Sequence, residues 1–287
     1  MKAFDGFESM TPEFWAFIKF VGDKAGYCLR KTKKNPDSTV KTFSYEELTE
    51  LVSNYNINVS EETITSAVDY IQLRADALNN QVRNNLMTGD EAKALYNEFS
   101  ERYADEELVC KIPRNLQKGE KDQTSYFSAL INMITELHIK HNTEKWQMEK
   151  PGFDCDPHGL MFVINQDDNS LVGACSRRFD GAYPGTMNAQ IIWEIKEYYY
   201  TTTFGSRIAD GVYETELDGF ELNAIFHRTG KKVFHVLLVD AYGTWWCQGR
   251  SYLCRIIDAL NSGLVDEVIF GKEIMTRWPQ VLMEHIH

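Results

Sequence analysis

Apolar residues recur at helical spacing through the first hundred positions and then give way to short β-branched runs. Thr11-Pro12-Glu13 supplies an N-cap, a proline at the first helical position and an acid in the first turn. Phe14, Ile18 and Val21 follow as one stripe, broadened by Trp15 and Phe17. Ser44-Tyr45-Glu46-Glu47 is a capping box that opens a second helix to about Tyr55. Ser60 caps a long helix to about Leu86, with Ile64, Val68, Ile71, Ala75 and Leu78 inward. Thr88 caps another to about Tyr103. The pair at 44–86 has the spacing of a helix-turn-helix, and a plain helical hairpin has the same pattern.

Residues 110–123 break the periodicity with proline, glycine and charge. This predicts a helical region over 1–110 and a second unit over 111–287. The second unit opens with a helix at 124–141. Strands are predicted at 160–165, 171–179 and 190–200, the first two joined by a turn at 166–170. A partly helical stretch at 205–220, a strand at 233–240, a helix at 249–261 and a strand at 265–270 complete it. The order α-β-β-β-α-β-α-β predicts an α/β (α+β) fold with a mixed central sheet flanked by helices.

Composition narrows the function. The chain of 287 residues carries a net charge of −12, which argues against a protein that coats nucleic acid. The charge is segregated: residues 42–109 hold 14 acidic and 4 basic side chains, whereas 19–41 hold 7 basic and 2 acidic. No apolar run is long enough for a membrane span, and no signal core opens the chain. Six cysteines without framework spacing predict reduced thiols and a cytoplasmic location. Cys155-x-x-His158 lacks a second Cys/His pair nearby, so a zinc site is not expected. There is no glycine-rich phosphate loop, G-x-S-x-G elbow or H-E-x-x-H. Nucleotide hydrolases, serine esterases and zincins are thereby set aside.

The stretch that carries chemistry is the strand at 190–200. Residues two apart in a strand share a face, so Glu194 and Lys196 project side by side from an apolar run. Burying that pair is costly unless each charge finds a partner or a metal. Asp180 lies fourteen residues upstream, beyond the turn chemistry of Ala182-Tyr183-Pro184-Gly185-Thr186, and a hairpin there returns it beside Glu194. The chain's other acid-x-Lys triplet, Glu91-Ala92-Lys93, falls in a helix, where residues two apart do not share a face. A plain strand ion pair is the alternative at Glu194 and Lys196.

An Asp before a hairpin, then Glu-x-Lys on the next strand of an αβββα core, resembles the PD-(D/E)XK nucleases, the fold family of most type II restriction endonucleases. The resemblance covers the second half of the chain. It implies Mg²⁺ held by Asp180, Glu194 and the Ile195 carbonyl, with Lys196 acting on the attacking water. Family members often add an acid from the first core helix, where Glu136 is the only one. The implied reaction is sequence-specific cleavage of double-stranded DNA to 5′-phosphate and 3′-hydroxyl ends, by a homodimer, beside a cognate DNA methyltransferase. A repair or RNA nuclease of the same fold and a non-enzymatic helix-turn-helix regulator remain open. DNA contacts are expected from Lys31, Lys33 and Lys34 to phosphates and from Thr63 and Ser66 to base edges. Arg207, Gln248 and Arg250 are further candidates, and Trp245-Trp246 is expected to pack.

Overall fold

The computed structural model describes residues 1–29, 38–115, 123–144, 146–147, 149–200 and 205–286. Helix α1 (Pro12–Lys24) starts where the Thr11 hydroxyl accepts from the Phe14 amide. Helix α2 (Tyr45–Asn54) opens on a complete capping box. Helix α3 (Glu61–Asp76) continues through a π-helical stretch, Ala77–Val82, into a last turn, α4 (Arg83–Asn85). Helix α5 (Gly89–Arg102) has a second capping box at Thr88, and α6 (Tyr126–Asn142) follows.

A small hairpin of β1 (Phe162–Ile164) and β2 (Leu171–Ala174) precedes the main sheet. That sheet runs β3 (Gly181–Tyr183), β4 (Ile191–Glu197), β5 (Phe234–Asp240) and β6 (Glu267–Phe270) in spatial order. Strand β3 is antiparallel to β4, while β4, β5 and β6 are parallel. Helix α7 (Ser206–Thr229) links β4 to β5 and α8 (Arg250–Asn261) links β5 to β6. Helix α9 (Arg277–His285) closes the chain. The fold is α/β of mixed orientation, with helices on both faces of the sheet.

The pleat sorts the core. Trp193, Val236, Leu238 and Ile269 face a cluster built with Phe127, Leu130 and Ile134 of α6 and Trp278 and Leu282 of α9. Leu237, Val239, Val268 and Phe270 face α7, α8 and the end of the α3 rod. Glu194 and Lys196 pair in register with Leu237 and Val239, so their side chains enter the α7 layer among apolar neighbours. No helix among the described residues is long and apolar enough to cross a membrane.

Two expectations shift. Strand β3 occupies 181–183 and overlaps the start of the stretch 182–186 read as a turn; its three buried residues pair with Trp193, Ile192 and Ile191. Packing runs across the boundary expected near 110. Ala92 and Phe99 of α5 belong to the α6 cluster, and the Met87 amide donates to the Asp240 carboxylate. Helices α1, α2 and most of α3 instead form their own cluster around Phe14, Ile18, Leu48, Tyr70 and Ile71.

Candidate active site

The register of β3 on β4 creates the site. Pairing stops with Gly181 opposite Trp193, leaving the edge of β4 uncovered from Glu194 onward. Asp180 sits at that corner. Its amide donates to the Trp193 carbonyl at 3.1 Å, and its carboxylate accepts the free Ile195 amide at 2.7 Å. Gly181 is needed beside it, because a β-carbon there would stand 2.1 Å from the Trp193 ring.

Glu194 and Lys196 meet on the α7 side. The Lys196 ammonium donates to Glu194 Oε1 at 2.6 Å and lies 3.4 Å from Glu214. Arg177, in the loop before β3, bridges Glu194 at 2.9 Å, Glu214 at 2.9 Å and Asp218 at 2.8 Å. Glu214 and Asp218 are one helical turn apart on α7. Six ionisable side chains thus share one sheet edge: Asp180, Glu194, Glu214 and Asp218 against Arg177 and Lys196.

The electrostatics follow from four acids facing two bases. Asp180 opens onto a cleft yet is otherwise walled in by protein, and this burial, with the Glu194 charge, pushes its carboxyl up to about 7. Burial pushes Asp218 up to about 7 against the pull of Arg177. Burial also opposes ionisation of Glu194, but Lys196 and Arg177 outweigh it and hold this carboxyl below its ordinary range. The ammonium of Lys196 is disfavoured by burial and still held firmly protonated by Glu194. Two oxygens in this cluster, Glu194 Oε2 and Asp218 Oδ1, are buried without a hydrogen-bond partner.

A cleft of about 600 Å³ opens beside this edge, with Asp180, Ile195 and Glu197 on one wall and Lys111, Arg114 and Asn132 among its other lining. Glu197 caps α6 from across the sheet, accepting from the Ser128 amide at 3.0 Å and its hydroxyl at 2.8 Å. Among the described residues no three His, Cys, Asp or Glu side chains gather as a metal cage. The donor chemistry suits a cation held more sparely. Glu194 Oε2 has no partner, and at Asp180 burial and the Glu194 charge outweigh the pull of Lys196 and Arg177.

Other expected residues lie elsewhere. Glu136 is not brought to this edge. It is fully buried in α6, accepting from the Val109 and Cys110 amides and from the Trp146 indole at 2.8 Å. That carboxylate anchors the chain before α6. Arg250 donates to the Trp246 carbonyl and the Ser38 hydroxyl and stacks over the Trp246 ring. Gln248 is exposed and donates to the Gly243 carbonyl at 3.4 Å. Thr63 and Ser66 are half-buried, and Thr63 is tied to the Ser60 cap. The exposed face of α3 carries Glu61, Glu62, Asp69 and Asp76, while Arg74, its one base, is buried. An acidic face of this kind repels a phosphate backbone, which counts against base reading by α3. Lys31, Lys33 and Lys34 fall outside the described residues, as does the side chain of Arg207.

Sequence reasoning missed Arg177, Glu214 and Asp218. The signal for the last two was a pair of acids at i, i+4 on what becomes the buried side of a helix. Both fall inside the stretch 205–220 read as partly helical, but their partner Arg177 lies 37 and 41 positions away.

No curated protein and no solved structure matches this chain. Residues 1–81 match the family described as "Domain of unknown function (DUF7690)". Residues 87–285 match "Domain of unknown function (DUF7687)". The two matches divide the chain between 81 and 87, near the end of the α3 rod, in line with the packing of α5 against α6. The second match takes in more than half of the sequence, and the protein therefore belongs to the DUF7687 family.

Proposed function

We propose that this protein is a Mg²⁺-dependent endonuclease of double-stranded DNA, of the type II restriction kind. The observation that carries this reading is the arrangement at one uncovered strand edge: Asp180 holds the Ile195 amide and lines a cleft, and Glu194 is bonded to Lys196 on the strand's other face. Asp180, Glu194 and the Ile195 carbonyl would hold the metal, which when bound polarises the phosphate and lowers the pKa of a coordinated water.

The chain's own residues supply the rest. Lys196 keeps its proton, so it serves as a fixed positive charge and hydrogen-bond donor rather than as a base. It orients the attacking water and offsets charge that builds on the phosphoryl oxygens. Glu194 and Glu214 fix the ammonium, and Arg177 fixes both glutamates. Water oxygen bonds to phosphorus and the P–O3′ bond breaks, leaving a 5′-phosphate and a 3′-hydroxyl. Arg114 at the cleft and exposed Arg178 supply contacts for backbone phosphates, while Lys111 is held by Asp156.

The test is a digest of unmethylated phage DNA with Mg²⁺. A discrete set of fragments is expected, with none when the metal is chelated. Binding without cleavage under any divalent cation would favour a non-enzymatic regulator, and cleavage confined to RNA would reassign the substrate.

A further inference from the structure

Helix α7 presents a second pattern on the side away from the charged cluster. Tyr213, Leu217, Phe220, Ala224 and His227 are all exposed and follow one another at spacings of four, three, four and three. That is the seam repeat of a helix that packs along another helix. The three large members keep about half of their surface in water: Tyr213 51%, Leu217 45% and Phe220 58%. Contiguous apolar exposure on this scale marks an interaction surface. The opposite side of the same helix is fully committed. Gly211 lies against Lys196, and Glu214 and Asp218 hold Arg177.

We propose that this seam is the interface of a two-fold symmetric dimer in which α7 packs antiparallel on α7 of a second copy. Phe220 is the midpoint of the seam, and an axis there makes the surface complementary to itself. Leu217 then meets Ala224 of the second copy, large against small, and Tyr213 meets His227. The charges agree with this register. Asp210 and Arg228 are exposed and flank the seam on the same side, ten residues to one side of Phe220 and eight to the other. Antiparallel packing brings such positions together, so the Asp210–Arg228 pair forms twice. A parallel two-fold pairing would carry this flank to the opposite side of the interface and leave Asp210 and Arg228 apart. The one like-charge approach near the axis, at Glu221, is relieved because that carboxylate turns away to the Ser176 amide and hydroxyl. An isologous contact of this sort closes on itself at two subunits. It stands independently of the nuclease reading. If both hold, the two clusters lie back to back across one pair of helices.

Sedimentation equilibrium on the full chain tests this. The wild type should sediment at twice the chain mass. Leu217→Asp combined with Phe220→Asp should give a monomer whose circular dichroism is unchanged, since both positions are on the surface. Asp210→Arg and Arg228→Asp should each weaken the dimer by roughly ten-fold, because each sets like charges opposite one another. The double exchange should return affinity to within about three-fold of wild type, since the pairs re-form with signs reversed. A wild-type monomer at about 100 µM, where even a modest contact is populated, would overturn the proposal. So would a dimer indifferent to the aspartates, or a double exchange that fails to restore pairing.

Discussion

Lys196 carries a charge into a place with almost no water: it and Glu194 are each only 4% exposed. A buried pair of this kind is weak evidence for stability, because desolvation offsets most of the attraction. Its retention on an apolar strand is easier to understand if the ammonium has work to do at this strand edge. Under the nuclease reading, Lys196→Ala should lower turnover by on the order of 100-fold or more while leaving DNA affinity nearly unchanged. Paired measurements of single-turnover cleavage and equilibrium binding separate this from a structural role, in which both would fall together. Gly181 offers a second test at the same scale. Its replacement by Ala drives a β-carbon into the Trp193 ring, and relieving that overlap should cost about 1–3 kcal/mol. The relief also pulls Asp180 away from the Ile195 amide. A lower thermal midpoint together with loss of activity is expected, and a variant that keeps both would show that the corner is not held as described.

Much of the chain's secondary structure was legible at the level of single elements. The capped helices α1, α2, α3 and α5 begin where Thr11, Ser44, Ser60 and Thr88 predict, because a cap is a local device read from a few residues. Strand β4 and the pairing of Glu194 with Lys196 were equally plain from alternation. Harder elements draw their stability from afar. The three residues of β3 have no period of their own and exist through Trp193 and its neighbours. Helix α6 has no side-chain cap from its own sequence at Ser125; Glu197, some seventy residues later, supplies the carboxylate. Arg177 reaches its three acids across 17, 37 and 41 positions. Such contacts depend on how helices cross the sheet, which a pattern of apolar positions does not encode. Glu136 shows the converse. A lone acid in a core helix suggests catalysis from sequence, yet three donors from the flanking chain consume it.

At the scale of the whole molecule, two features hold the first helices to the sheet unit and set its response to pH. The first is Arg74 of α3, which forks onto Asp258 of α8 at 2.7 and 3.0 Å, joined by the Tyr70 hydroxyl at 2.7 Å. Asp258→Ala strands a buried guanidinium and should cost roughly 3–5 kcal/mol, readable as a lower denaturant midpoint. If the midpoint is unchanged, the two family segments are not energetically joined through this pair. The second feature is a set of acids whose carboxyls burial raises in the folded chain: Glu197 to about 6, Asp218 to about 7 and Asp240 to about 8. In the unfolded chain these groups ionise near pH 4, so between about pH 4 and 8 the folded state binds more protons than the unfolded one. Stability therefore falls as pH rises through that window, and what these acids contribute is fully present only below it. Asp240 isolates one part of the effect. It receives the Met87 and Ala241 amides at 2.8 Å each and the Tyr199 hydroxyl, so Asn can keep the two amide contacts without the charge. In metal-free buffer the wild-type denaturant midpoint should decline from pH 5 to 8. Asp240→Asn should flatten that decline by on the order of a few kcal/mol. A midpoint that climbs over the same range, or an Asn variant as steep as the wild type, would mean that Asp240 is ionised in the folded protein and that its three donors outweigh its burial.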